Sequence, residues 1–242
     1  MAEQSRQAFD IRRYVAEALG TFMLVAIGPG AAMVSARTGA FGHTGVALAF
    51  GLVVCLVIAS SGHLGGAHIN PAVTIGFWSV RRFPARDVVP YIISQCVGAI
   101  SASAVLVWLL GPVGNFGATV PALSVARSFV VEAGYSAILA FVIMGVATDK
   151  RTPAAVAPFG IGATVFAGAL VTGPLTGGSF NPARSLGPAV IGDVWTAHWL
   201  YWLAPVVGIV SAMHIYEALR GTSAPPSPRD AVTGVEGPIS AH

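Results

Sequence analysis

Charged residues are scarce in this chain of 242 residues, of which only 10% are Asp, Glu, Lys or Arg. Soluble domains carry about 25%, so the composition argues against a soluble globular protein. The net charge of +3 is too small to indicate nucleic-acid binding. Only two cysteines occur, and both lie within apolar runs, where they read as small buried residues and not as a disulfide or metal site: Cys55 and Cys96.

Long apolar runs are present instead, and 55% of the residues are hydrophobic. A helix that crosses a bilayer needs about 20 such residues. Six segments qualify, so we predict an all-α membrane protein with one membrane domain over residues 14–220, flanked by a polar N-terminal segment (1–13) and a disordered tail (221–242). The predicted spans are Tyr14–Ala36, Thr44–Leu64, Val88–Leu110, Ser128–Thr148, Pro153–Thr172 and Trp195–Leu219.

Two apolar pieces, Pro71–Val80 and Pro182–Ile191, are too short to cross a bilayer. Each begins within an Asn-Pro-Ala motif, formed by Asn70, Pro71 and Ala72 in one case. Asn is a favoured helix N-cap, and Pro fits the first helical position because its missing N–H is not needed there. We therefore predict two re-entrant half-helices whose positive ends meet inside the protein. The second motif consists of Asn181, Pro182 and Ala183.

The positions of the basic residues predict the orientation of the chain. Six crossings place ten of the 13 Lys and Arg residues on one side, which by the positive-inside rule is the cytoplasm. Both termini would then be cytoplasmic, and no cleavable signal pattern is evident. The half-helices would enter from opposite sides, so the halves, about 14–110 and 128–220, would form inverted repeats. The three exceptions are Arg37, Arg127 and Arg184.

Two carboxylates lie inside predicted spans, Glu17 in the first half and Glu132 in the second. A carboxylate at membrane depth is costly and needs a partner. It could belong to a proton relay or cation site, or it could be a structural clamp that accepts hydrogen bonds from N–H groups of the re-entrant loops. The clamp is the favoured interpretation.

From about Ile11 to Arg220 the sequence resembles the aquaporin (major intrinsic protein) family, which carries the same paired Asn-Pro-Ala motifs and a Glu at the two clamp positions. The resemblance implies a homotetramer in the lipid bilayer with one pore per subunit, no cofactor, no metal and no enzymatic activity. It also implies that Asn70 and Asn181 present amides to the pore. Positive helix ends and a fixed Arg would exclude cations and protons there.

The resemblance further implies a selectivity filter made of Phe50, Ala169, Gly178 and Arg184. Water-selective members usually have His where this chain has Ala169, and glycerol facilitators usually have two filter aromatics and an Asp where this chain has Ser185. Two small filter residues indicate a passage wider than a single water file. The residues around the second motif, 173–189, look most like the nodulin-like branch, which includes bacterial relatives that pass glycerol and metalloid acids.

The expected function is therefore passive passage of small uncharged solutes, namely glycerol or metalloid hydroxides such as arsenous acid, together with water. A water-selective channel is the alternative, and an alternating-access transporter a distant one, because the motifs carry Asn and no carboxylate. His63 and His68 are expected to line the cytoplasmic vestibule, and the bacterial inner membrane is the expected location. Six aromatic residues are expected in interfacial belts: Phe77, Trp78, Trp195, Trp199, Tyr201 and Trp202.

Overall fold

The computed structural model describes residues 11–221, and every regular element among them is helical. Six helices are long and apolar enough to cross a membrane, which confirms the predicted all-α fold with six spans. The predicted tail lies almost entirely outside the described residues, as does most of the N-terminal segment. The long helices are α1 (Ile11–Thr38), α2 (Gly42–Gly65), α4 (Ala85–Leu110), α5 (Val125–Ile143), α6 (Val156–Thr176) and α8 (Leu200–Arg220).

Two short helices complete the set, α3 (Pro71–Ser79) and α7 (Pro182–Gly192). Both start at the proline of an Asn-Pro-Ala motif, and in both the preceding asparagine is the N-cap. The Asn70 Oδ1 atom accepts from the backbone N–H of Ala72 at 2.9 Å. With nine and 11 residues, each of the two helices spans only about half of the hydrocarbon core of a bilayer at 1.5 Å per residue.

The two halves pack in the same way. Helix α1 packs on α4 in the first half and α5 packs on α8 in the second, while α2 and α6 join the halves. A Cβ atom added at Gly98 would lie 2.1 Å from the carbonyl oxygen of Ala18, and one added at Gly208 would lie 2.0 Å from that of Ala133. Both crossings therefore require glycine, because only its missing side chain lets the helix backbones touch.

The distribution of side chains is that of a membrane protein. Large apolar residues cover the outside, with Trp108 81% and Phe159 71% exposed, whereas polar side chains lie inside, among them the fully buried Glu17 and Glu132. Lipid tails solvate apolar side chains, so the hydrophobic residues have no need to face the interior.

The sixth span starts later than predicted, whereas the fourth ends at Thr148 as predicted but finishes in a π-helical turn. Helix α8 begins only at Leu200, because turns occupy the residues before it. The α-helix of the fourth span ends at Ile143 and continues as one π-helical turn over Met144–Thr148. Just beyond it, Asp149 pairs with Arg151 at 2.6 Å. The hydrogen bonds from Arg151 hold the pKa of the Asp149 carboxyl well below its usual range.

Candidate functional site

The two Asn-Pro-Ala motifs meet at the middle of the protein and bond to each other. The Asn70 Nδ2 atom donates to the carbonyl oxygen of Phe180 at 2.8 Å, and the Asn181 Nδ2 atom donates to that of Ile69 at 2.7 Å. An amide nitrogen carries two N–H groups, so each asparagine keeps one for the space beside it. The sequence predicted the caps and the lumenal amides but gave no sign of this reciprocal bonding.

The two accepting carbonyls belong to residues in the strained left-handed backbone conformation, which directs each carbonyl toward the opposite motif. Ile69 and Phe180 hold equivalent places before the asparagines and have φ values of 43° and 54°. The left-handed region is unfavourable for non-glycine residues, above all for a β-branched one. Such strain costs on the order of 1–3 kcal/mol per residue, and here the hydrogen bonds to the asparagine amides offset it.

A cavity of about 100 Å³ runs past the two motifs, and we call it the central cavity. Its lining includes Asn70 and Asn181, the loop residues before each of them, and an apolar wall drawn from α2, α5 and α6. A molecule in the central cavity therefore has hydrogen-bonding groups on one side only. Residues of the apolar wall include Val54, Ile58, Leu139, Ile143, Ile161 and Val165.

A second cavity of about 340 Å³, the mouth cavity, lies between the start of α2, the end of α6 and the joining segment, residues 111–124, which connects the two halves. Its lining includes Ser35, His43, Gly114, Ala118 and Gly173. Four residues line both cavities, and they are the four for which the family resemblance implies a filter: Phe50, Ala169, Gly178 and Arg184.

Arg184 is the positive charge among these four, and it is only 4% exposed. One guanidinium nitrogen, Nη1, donates to the carbonyl oxygen of Gly117 at 2.9 Å, and the Cζ atom lies 4.9 Å from the centre of the Phe50 ring. The buried Nε atom has no partner among residues 11–221. Arg184 is thus held by one carbonyl and one ring, and its guanidinium group has more N–H groups than these contacts use.

The other two of the four, Ala169 and Gly178, have almost no side chain. Gly178 has a φ of 58°, and a Cβ atom built on it would lie 3.5 Å from the Cα atom of Ala169, so the two small residues are neighbours. On the aromatic side, a Cβ atom at Gly28 would lie 2.3 Å from the Phe50 ring. Gly28 therefore lets an edge of this ring contact the backbone of α1, a role that the sequence did not reveal.

The buried carboxylates bind the loops in front of the half-helices. Glu17 accepts from the N–H groups of His68 and Ile69 at 2.7 and 2.6 Å. Glu132 accepts from those of Ser179 and Phe180 at 3.0 and 2.9 Å. These are the contacts expected of a clamp, and each carboxylate also accepts a side-chain hydrogen bond, from Gln95 Nε2 and Thr176 Oγ1 respectively.

The joining segment between α4 and α5, residues 111–124, takes part in the site. Besides the Gly117 carbonyl, it supplies Thr119, whose hydroxyl donates to Ser185 Oγ at 2.8 Å. Ser185 in turn lies 2.6 Å from Ser179 Oγ. These three buried hydroxyl groups connect the segment to the half-helix that carries Arg184. No local pattern marks such residues, because the contacts exist only after the halves have packed.

Histidines and aromatic residues depart from expectation at several places. His68 lines the central cavity and stacks on Phe77, with ring centres 4.9 Å apart, whereas His63 is exposed and lines neither cavity.

The interfacial prediction is wrong for Tyr201, which is fully buried and donates to the carbonyl oxygen of Thr176. Burial lowers the pKa of His198, which precedes α8. Trp78, Trp195 and Trp199 are about half exposed, as a belt requires.

Comparisons with known proteins agree with this architecture. The family model described as Major intrinsic protein matches residues 3–216. A probable NIP-type aquaporin of Nicotiana alata is 39% identical over 89% of this chain and 80% of its own length. A probable aquaporin of Archaeoglobus fulgidus is 40% identical over 86% of this chain and 96% of its own length.

A solved structure extends the agreement to three dimensions. The aquaglyceroporin from Plasmodium falciparum superposes with a TM-score of 0.80 at 27% identity, covering 87% of this chain and 97% of its own. Nodulin-26 of Glycine max is 40% identical over 89% of this chain and 80% of its own length. The chain therefore belongs to the major intrinsic protein family of passive membrane channels, on its nodulin-like branch.

Proposed function

We propose that this protein is a passive channel for small uncharged polyols and metalloid hydroxides, that it also passes water, and that it excludes ions and protons. The observation that carries the proposal is the composition of the junction between the two cavities. Of the four residues common to both, Ala169 and Gly178 contribute at most a methyl group. A junction without bulk on two of its sides admits a solute larger than water.

The remaining two junction residues supply the selectivity. Arg184 and Phe50 line both cavities, so the guanidinium group can donate N–H bonds to the oxygen atoms of a hydroxyl compound while the ring contacts its carbon atoms. Further along, the spare N–H groups of Asn70 and Asn181 repeat the same arrangement opposite the apolar wall of the central cavity. Polyols and metalloid hydroxides both carry the hydroxyl groups that such a passage would bind.

Exclusion of cations and protons follows from fixed positive groups. Helices α3 and α7 both direct their N-termini toward the central cavity, where each contributes a partial positive charge. Arg184 adds a full charge at the junction. Positive half-helix ends and an arginine are recognised barriers to protons and cations in channels of this type.

The reciprocal bonds between the motifs support a passive passage over alternating access. An alternating-access carrier must move one half against the other. Here Asn70 and Asn181 tie the halves together at the centre, and both Glu17 and Glu132 are occupied as acceptors. We further propose that the protein is a homotetramer in a bacterial inner membrane with both termini cytoplasmic, in keeping with its lipid-facing surface and with the distribution of Lys and Arg.

Stopped-flow light scattering on proteoliposomes tests the proposed solute class, with water and glycerol permeability and arsenite entry measured on one preparation. Rapid entry of glycerol or arsenite is expected. Ala169→His should reduce solute permeability by about tenfold or more and leave water permeability largely intact, because the imidazole narrows the junction. Ala169→Ser, which stays small, is the matched control. Fast water movement with no solute entry in the wild type would contradict the proposal.

A further inference from the structure

Helix α6 contains a carbonyl group for which the helix itself provides no hydrogen-bond donor. Pro174 lies within this helix and has no N–H, so the carbonyl oxygen of Leu170, four residues earlier, lacks its helical partner. The side chain of His43 takes that place: its Nε2 atom lies 2.7 Å from the Leu170 oxygen. His43 stands at the second position of α2, so this bond connects helices of the two halves.

The bond defines the state of the imidazole. A carbonyl oxygen only accepts hydrogen bonds, so Nε2 must carry the proton, and in the neutral ring Nδ1 is then an acceptor. The ring is seated against Gly173, where a Cβ atom would lie 2.5 Å from its Cε1 atom. Nδ1 has no hydrogen-bond partner among residues 11–221, and His43 is exposed to the mouth cavity.

The charged surroundings of His43 are simple. In the lining of the mouth cavity, the ionisable residues are His43 and Arg184. The parts of α6 and of the joining segment that line this cavity contribute Gly114, Gly117 and other uncharged residues. Arg37, at the end of α1, is exposed and donates to the carbonyl oxygen of Leu110. The mouth cavity therefore combines an acceptor at His43 with donors at Arg184.

We propose that His43 and Arg184 form a binding site for hydroxyl-bearing solutes in the mouth cavity, and that His43 is a specificity-determining residue of the channel. A hydroxyl group both donates and accepts, so it can donate to His43 Nδ1 while a neighbouring oxygen accepts from Arg184. This inference rests on the proposed function, since it concerns how the same solutes are selected before they reach the junction.

A substitution can remove the acceptor at this site and keep the donor. The side chain of His43→Lys carries only N–H groups, so it can still donate to the Leu170 carbonyl but has no acceptor for the solute O–H. Loss of one hydrogen bond corresponds to roughly a three- to tenfold effect. Glycerol permeability of His43→Lys should therefore fall by that factor relative to wild type, while water permeability changes less.

The test measures glycerol and water permeability of the full chain in proteoliposomes at one fixed pH. His43→Gln retains an amide N–H for the Leu170 carbonyl and an oxygen acceptor for the solute, so it should keep a glycerol permeability close to that of wild type. His43→Phe has neither group and should give low glycerol permeability. His63→Gln changes an exposed histidine at the other end of α2 that lines neither cavity, so it is the matched control and should behave as wild type.

The outcomes separate this inference from the proposed function. Wild-type protein that passes water but no glycerol overturns both. Equal, rapid glycerol passage in wild type and His43→Lys overturns the role of His43 alone. If His43→Phe fails to fold because the Leu170 carbonyl loses its donor, the comparison of wild type with His43→Lys and His43→Gln still decides the question, because both variants keep a donor for that carbonyl.

Discussion

The Glu132→Gln substitution distinguishes a structural carboxylate from one that carries protons. Glu132 is fully buried, and its oxygens accept three hydrogen bonds, from Thr176 Oγ1 at 2.6 Å, Ser179 N at 3.0 Å and Phe180 N at 2.9 Å. Glutamine has the same shape but keeps a single acceptor oxygen, and its amide nitrogen must face at least one N–H or O–H donor. The variant therefore leaves one buried donor without an acceptor.

The expected loss can be worked from these contacts. An unsatisfied buried donor costs about 1–3 kcal/mol, and each remaining bond weakens by about 1 kcal/mol when its acceptor loses the charge. A neutral amide is cheaper to bury than a carboxylate, which offsets part of this loss. The net destabilisation should be about 2–4 kcal/mol, or a fall in Tm of roughly 5–15 °C for a chain of this length.

Thermal unfolding of the full chain in detergent measures this loss, and proton flux into proteoliposomes is the second readout. Glu217→Gln is the matched control, because Glu217 is partly exposed and pairs with Arg82 and Arg220 near the end of α8. Exposed ion pairs contribute about 1 kcal/mol or less. A Glu132→Gln variant that unfolds at the wild-type temperature but carries an altered proton flux would refute the clamp and favour a relay.

Two further substitutions test other parts of the structure. Gly28→Val should displace the Phe50 ring into the junction and lower glycerol permeability at least fivefold in the stopped-flow assay. Gly134→Val, where a Cβ atom would meet nothing within 4 Å, should behave as wild type, and equal permeability of both variants would count against the seating of Phe50. Asp149→Asn should lower the Tm at pH 7, because the depressed pKa of this carboxyl means that its stabilisation is present above about pH 4. The difference from wild type should shrink progressively as the pH falls below about 4, and a difference that is as large near pH 2 as at pH 7 would exclude the ionised carboxylate as its cause.

The sequence predicted the parts of the fold that depend on short-range pattern. Six apolar runs became six long helices, and Asn followed by Pro marked the start of both half-helices, because capping and proline geometry act within a few residues. The prediction starts the last span at Trp195, five residues too early: Trp195–Trp199 has no Asp, Glu, Lys or Arg and carries two tryptophan rings, yet it forms turns. A low charge content alone does not distinguish a helix from turns.

Contacts between distant segments were beyond such patterns. Nothing near Gly117 in the sequence shows that its carbonyl holds Arg184, and nothing near Tyr201 shows that it is buried against Thr176. The contact between His43 and the Leu170 carbonyl did leave a local signal in the sequence. A proline within a helix leaves the carbonyl four residues earlier without its helical donor, so Pro174 indicates that the Leu170 carbonyl needs a donor from another element. Finding His43 as that donor required the packing of α2 on α6.

The reciprocal bonds between the motifs also affect how the chain is made. When residues up to about 110 have entered the membrane, Asn70 can already cap α3 and Glu17 can already hold its loop. The Asn70 amide and the Ile69 carbonyl, however, have no partners until Phe180 and Asn181 have been synthesised. Unpaired polar groups at membrane depth cost several kcal/mol each. The first half alone is therefore an intermediate with unsatisfied polar groups, which gain their partners only when the last third of the chain has been inserted.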